Sequence, residues 1–325
     1  MEQALALAAQ NLLSPIILSF ALGLAAALAR SDLSIPEAVA KGMSIYLLFA
    51  IGFKGGAAVA DHGLDLRLGM ALLAGVILSA LLPLVAFGVL RVITRLSVLD
   101  AAAVAAHYGS ISIVTFVAGT SVLQSAGLEY EGYMVAVAAA MEAPAILSAL
   151  WLISRSAPSG GKMDADLWRE ILLNGSIVLL VGSFAIGWAT GADGLAQIEA
   201  FIISPFQGVL CLFLLDMGLV AGRGLRQSGE VRGPVLAFGL IMPLIGSTFG
   251  LGAGLLLGLS TGGVALMMVL SASASYIAVP AAMRVALPQA NPSIYLTLSL
   301  GVTFPFNLTL GLPLYVAVAS TFAGG

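Results

Sequence analysis

Charge is what this 325-residue chain lacks most. Asp, Glu, Lys and Arg together make up 9% of it, against about 25% in a soluble domain. Hydrophobic residues make up 60% and the mean hydropathy is +1.08, an excess that no water-soluble fold can bury. The net charge of −3 is small and says nothing about nucleic acid. The single cysteine, Cys211, excludes an intrachain disulfide and reads as a small residue within an apolar run. With two histidines, His62 and His107, in different regions, there is no zinc-type constellation. An intramembrane aspartyl protease needs two facing aspartates deep in the membrane, and only Asp216 is available. An enzyme is therefore the weakest reading. No Lys or Arg precedes Ser14–Ala29, so this segment lacks a signal peptide's basic start and reads as an uncleaved first span.

What remains is a polytopic all-α membrane protein. Apolar runs separated by Gly, Pro and charged residues predict ten transmembrane helices, over 12–29, 38–60, 66–91, 98–124, 130–154, 171–190, 200–221, 232–258, 261–286 and 293–321. The longest connection, Arg155 to Glu170, divides the chain into 1–157, a linker 158–170, and 171–325. Eleven basic residues fall on one side: Arg30, Lys41, Arg91, Arg95, Arg155, Lys162, Arg169, Arg223, Arg226, Arg232 and Arg284. Arg67 stands alone on the other. The positive-inside rule then puts the central loop in the cytoplasm and both termini outside a bacterial plasma (inner) membrane. Glu129, Glu131, Asp193 and Glu199 fall in outer loops.

The halves echo one another. Ser-Phe-Ala-Leu-Gly at 19–23 returns as Ser-Phe-Ala-Ile-Gly at 183–187, Ser110 and Ser112 as Ser271 and Ser273, and Pro144 as Pro305. Five spans per half is an odd number, so the second half must enter the membrane inverted. That is the plan of many secondary transporters.

Two polar patches interrupt equivalent spans. His107-Tyr-Gly-Ser-Ile-Ser-Ile-Val-Thr115 lies in span four and Ser271-Ala-Ser-Ala-Ser-Tyr-Ile-Ala-Val-Pro280 in span nine. Gly109 and the serines permit unwinding, and Pro280 suits the first turn of a restarting helix. Two helix N-termini would then converge at mid-membrane, each with free N–H groups and about half a positive charge. With hydroxyls beside them they form an anion site without Arg, and freed carbonyls suit Na+. The substrate-binding candidates are Gly109, Ser110, Ile111, Ser112, Thr115, Ser271, Ser273, Ser275 and Tyr276. Taken singly, each patch reads more readily as small-residue helix packing; the two in register favour the site.

Ionisable residues inside spans are functional candidates. Glu142, with Thr303 and Asn307 from the matching region and Ser112 and Ser273 from the patches, could supply oxygens to a cation. Lys54 and Asp216 hold near-equivalent places and admit two readings. They form a buried pair, or Lys54 snorkels outward from about 10 Å depth at 1.5 Å per residue. His107 could sense pH, bind substrate, or simply pack through a hydrogen bond.

At Ser34-Ile-Pro-Glu-Ala, Ala50-Ile-Gly-Phe-Lys-Gly-Gly, Gly109-Ser-Ile-Ser, Ala143-Pro-Ala, Val279-Pro-Ala-Ala-Met-Arg and Pro288-Gln-Ala-Asn-Pro-Ser, the chain resembles the cyanobacterial-type sodium-dependent bicarbonate transporter family as a divergent member. The resemblance spans nearly the whole length. It implies core and gate domains, elevator-like motion, a homotrimer, bicarbonate between the crossover N-termini with Na+ as coupling ion and no other cofactor, and inhibition by a PII-like cytoplasmic protein. The departures cluster at the site. Ile113 and Val114 replace small polar positions, Ala274 replaces a serine, and Tyr276 stands where the family has aspartate. Ala278 and Val279 replace Ser and Gly, Glu142 replaces Asp, and Lys54 replaces Thr. Three functions are thus expected in order: Na+-coupled uptake of bicarbonate or a similar small monoanion, carriage or export of a small organic acid, and a transport-inactive sensor or channel.

Overall fold

A computed structural model describes residues 13–63, 65–156, 173, 175–227, 233–276, 279–280, 283, 287 and 289–323. Among these the secondary structure is all helical: α1 (Pro15–Leu28), α2 (Glu37–His62), α3 (Leu66–Ile93), α4 (Val98–His107), α5 (Ile113–Ser125), α6 (Met134–Ala140), α7 (Ala143–Ser156), α8 (Gly175–Ile202), α9 (Phe206–Gln227), α10 (Pro234–Leu256), α11 (Thr261–Ala272) and α12 (Pro292–Ala323). Seven stretches are long and apolar enough to cross a membrane, and α1, α4, α5 and α11 are shorter apolar helices. Leu66, Val92, Phe201 and Leu256 are among many large apolar side chains facing outward, which suits lipid rather than water. The linker 158–170, Lys162, Arg169, Arg232 and Arg284 lie outside the described residues.

Local chemistry explains where helices start. Ser14, Asp65, Ser97, Ser112, Ser260 and Asn291 each cap a first turn by accepting a backbone N–H, as short polar side chains do. Pro15, Pro234 and Pro292 sit at first-turn positions where no N–H is needed.

The structure corrects three sequence boundaries. Asp193 and Glu199, expected in a loop, lie on α8, which kinks at Gly191 (φ 58°) and runs on to Ile202. The following helix therefore starts at Phe206 rather than near 200. The span expected over 130–154 is broken at Met141–Glu142. Pro144 has no N–H to offer the carbonyl four residues back. Ser79 of α3 wedges into the gap, donating to Met141 O (2.6 Å) and accepting from Ala145 N (3.1 Å). In α12 the matching Pro305 lies between two π-helical stretches, Thr297–Thr303 and Asn307–Gly311, which widen the helix around the ring.

The repeated pentapeptide lies on α1 and α8, and each copy packs on a helix of the other half. A Cβ at Gly23 would collide with Leu215 O of α9, and one at Gly187 with Phe53 O of α2. In return, a Cβ at Gly218 would strike Phe20 O, and one at Gly56 would strike Phe184 O. Small residues permit this backbone approach without any drive from water exclusion. Helix ends are exchanged likewise. Asp100 of α4 accepts Asn291 N before α12 (2.8 Å), while Glu131 before α6 accepts Ser260 N before α11 (2.7 Å). The Arg226 guanidinium of α9 donates to Ala27 O at the C-terminal end of α1 (3.1 Å), where a cation is favoured.

Candidate functional site

α4 ends at His107 and α5 begins at Ile113; the residues between are turn and extended chain. Helices of 10 and 13 residues are about 15 and 20 Å long, half a bilayer core each. α11 likewise ends at Ala272 and gives way to extended chain at Ser273–Ser275. Val279, Pro280 and Met283 are helical, while the rest of the restart lies outside the described residues. A Cβ at Gly109 would strike the Pro83 ring of α3, so the first break needs glycine for close approach.

The two breaks bond directly to each other. Ser275 N donates to His107 O (2.8 Å) and Ser110 O (3.2 Å). Ser112 N donates to Ser273 Oγ (2.9 Å), and Ser273 Oγ donates to Leu270 O (2.9 Å). Each unwound strand thus satisfies backbone groups that the other's lost helix left open. Ser112 Oγ caps α5 by accepting from Thr115 N (3.2 Å) and Thr115 Oγ1 (2.9 Å). With its lone pairs so used, the Ser112 hydroxyl has only its hydrogen left to give. Ser110, Ile111, Ser112, Thr115, Ser271, Ser273, Ser275 and Tyr276 are all buried.

Three buried side-chain atoms in this region have no hydrogen-bond partner: His107 Nε2, Ser271 Oγ and Tyr276 Oη. Tyr276 Oη approaches Ser112 without a well-formed bond. Its ring stands edge-on to Phe304 (5.2 Å), which in turn meets Phe20 of α1 (5.3 Å).

Each of the cation candidates Glu142, Thr303 and Asn307 has a partner within the protein. Glu142 is buried and its Oε2 accepts from Ser110 Oγ (2.8 Å), which ties it to the first break. Thr303 Oγ1 donates to Gly239 O (2.7 Å) and meets Tyr108 Oη at 2.7 Å. Asn307 Nδ2 donates to Ala272 O (2.9 Å), and its Oδ1 accepts from Tyr315 (2.8 Å). Thr303 and Asn307 are thus occupied by protein partners around the breaks and share no described contact with Glu142.

Lys54 makes a contact that neither reading of it named. Its Nζ stands 5.2 Å from the centroid of the Phe206 ring at the start of α9, a cation–π contact. Among the described residues no ion pair joins it to Asp216. His107 Nδ1 donates to Ala103 O (2.6 Å), and its ring stacks on Tyr295 (4.6 Å, 26°).

Sequence reasoning missed Tyr108, Tyr295, Tyr315 and Ser79. The chain has seven tyrosines, and Tyr108, Tyr276, Tyr295 and Tyr315 fall on these two breaks and the helix against them. That concentration was the available signal.

A family model described as the Na+-dependent bicarbonate transporter superfamily matches residues 15–320. No curated protein matches the chain.

Proposed function

Because the chain belongs to the Na+-dependent bicarbonate transporter superfamily, we propose that it is a secondary active carrier that takes up bicarbonate or a similar small monoanion together with Na+. The observation that carries this reading is the mutual bonding of two broken helices, 107–112 against 273–275. It brings the start of α5, with the Ser112 hydroxyl, against the second break, where an anion would meet a helix N-terminus. The Na+ would sit beside Glu142 and Ser110 rather than on Thr303 and Asn307, whose polar atoms are already engaged.

The remainder of the reading follows from packing. Reciprocal contacts of α1 with α9 and α2 with α8 support an inverted repeat of ten spans, in which these four helices form the gate. Helices α3–α7 and α10–α12, with the breaks inside, form the moving core of an elevator. The basic bias supports a cytoplasmic linker in a bacterial inner membrane, with both termini outside. The homotrimer and the PII-like regulator belong to the same proposal and rest on the resemblance alone. Tyr276, which puts a neutral hydroxyl at the site, favours carriage of a small organic acid as the second reading.

The test is uptake of labelled bicarbonate by proteoliposomes with an inward Na+ gradient. Accumulation that collapses when Na+ gives way to choline is expected. Equal uptake without Na+, or uptake of acetate in preference to bicarbonate, sinks the first reading. Ser112→Ala and Ser273→Ala should weaken substrate binding while leaving the protein folded; normal binding by both would place the site elsewhere.

A further inference from the structure

His107 is not needed to close the crossover: its backbone carbonyl does that, accepting from Ser275 N. Its ring is wholly buried and is fixed twice, by the stack on Tyr295 and by the bond to Ala103 O. A carbonyl only accepts, so Nδ1 carries the proton. In the neutral ring Nε2 is then a lone pair, held rigidly in the interior with nothing to accept. The other unpartnered atoms here are of the opposite kind. Ser271 Oγ and Tyr276 Oη are hydroxyls with hydrogens to donate, as is Ser112 Oγ. Among the described residues of the two breaks, hydroxyl hydrogens are thus several and the orphan ring nitrogen is one.

An anion of bare oxygens satisfies donors and leaves the acceptor orphaned. An anion that also carries an O–H satisfies both. We propose that His107 is a specificity-determining residue whose Nε2 accepts the hydrogen of a protonated oxyanion, selecting bicarbonate-like monoanions over equally charged trigonal anions with no hydrogen. The inference rests on the carrier reading above and sharpens the substrate class of that site.

Nitrate and bicarbonate separate the possibilities, being planar, singly charged and close in size, with the O–H as the main difference. Thermal stabilisation of the purified full-length protein is titrated with each, in Na+ buffer. Wild type should bind bicarbonate at least about tenfold more tightly than nitrate, as expected when a buried polar group would otherwise go unpaired. His107→Phe keeps a ring against Tyr295 and removes the acceptor. It should bring the two anions within about threefold of each other, mainly by weakening bicarbonate. His107→Gln, which restores a donor and an acceptor, should recover part of the preference. Equal binding of both anions by wild type overturns the inference without any variant, and so does a preference that survives in His107→Phe. If neither anion stabilises the protein, the carrier reading fails and this one with it.

Discussion

Single hydroxyls at this protein's helix breaks carry unequal weight, because some serve one partner and some serve two. Ser79 serves two backbone groups, Met141 O and Ala145 N, both inside the helix packing. Ser79→Ala leaves both unmet and should cost ~1–3 kcal/mol, read as a fall in melting temperature of the purified protein. Tyr108 Oη meets only Thr303, which keeps its bond to Gly239 O. Tyr108→Phe should therefore cost about 1 kcal/mol, and Thr303→Val should cost more, since it strands both neighbours. A ranking with Tyr108→Phe as the most damaging of the three would contradict this hydrogen-bond order.

At the scale of the element, glycines on one helix divide by what lies opposite them. On α8, a side chain at Gly187 would enter the α2 backbone, while one at Gly182 would meet nothing within 4 Å. Gly187→Leu should abolish accumulation of folded protein. Gly182→Ala should be neutral or stabilising by up to about 1 kcal/mol through helix propensity. Monodisperse elution from size exclusion in detergent distinguishes them. The same scale shows what the sequence could and could not tell. Capped starts at Ser97, Ser112, Ser260 and Asn291 are local, within three residues, as are the polar runs at Gly109 and Ser273 from which the breaks were legible. The α6–α7 break was not, because the group that stabilises it, Ser79, comes from more than sixty residues upstream. The partners that Glu142, Thr303 and Asn307 hold were hidden for the same reason. Their partners Ser110, Gly239 and Ala272 are set by helix rotation, which residue spacing does not encode.

At the scale of the molecule, α1, α2, α8 and α9 hold together by backbone contact, and Phe20 of α1 meets the other helices through Phe304 of α12. If these groups slide past one another during transport, a bridge at this contact must stop it. In a Cys211→Ala background, Phe20→Cys with Phe304→Cys, joined by a short bifunctional thiol reagent, should lose more than about 90% of uptake while still binding substrate. With a disulfide-containing linker, an added thiol reductant that cleaves the bridge should restore uptake. Undiminished transport across the bridge would exclude sliding at this interface.

The hydrogen bonds between the two breaks also set a timetable for synthesis. Ser112 N waits for the side chain of Ser273, which lies 161 residues later in the chain. At roughly 5–20 residues per second this is a delay of roughly 8–32 s. For that interval the first break sits in the membrane with His107 O, Ser110 O and Ser112 N lacking their final partners, and water or the insertion machinery must supply them. A ribosome stalled between the halves should leave α4 and α5 reactive to aqueous probes that the finished protein excludes.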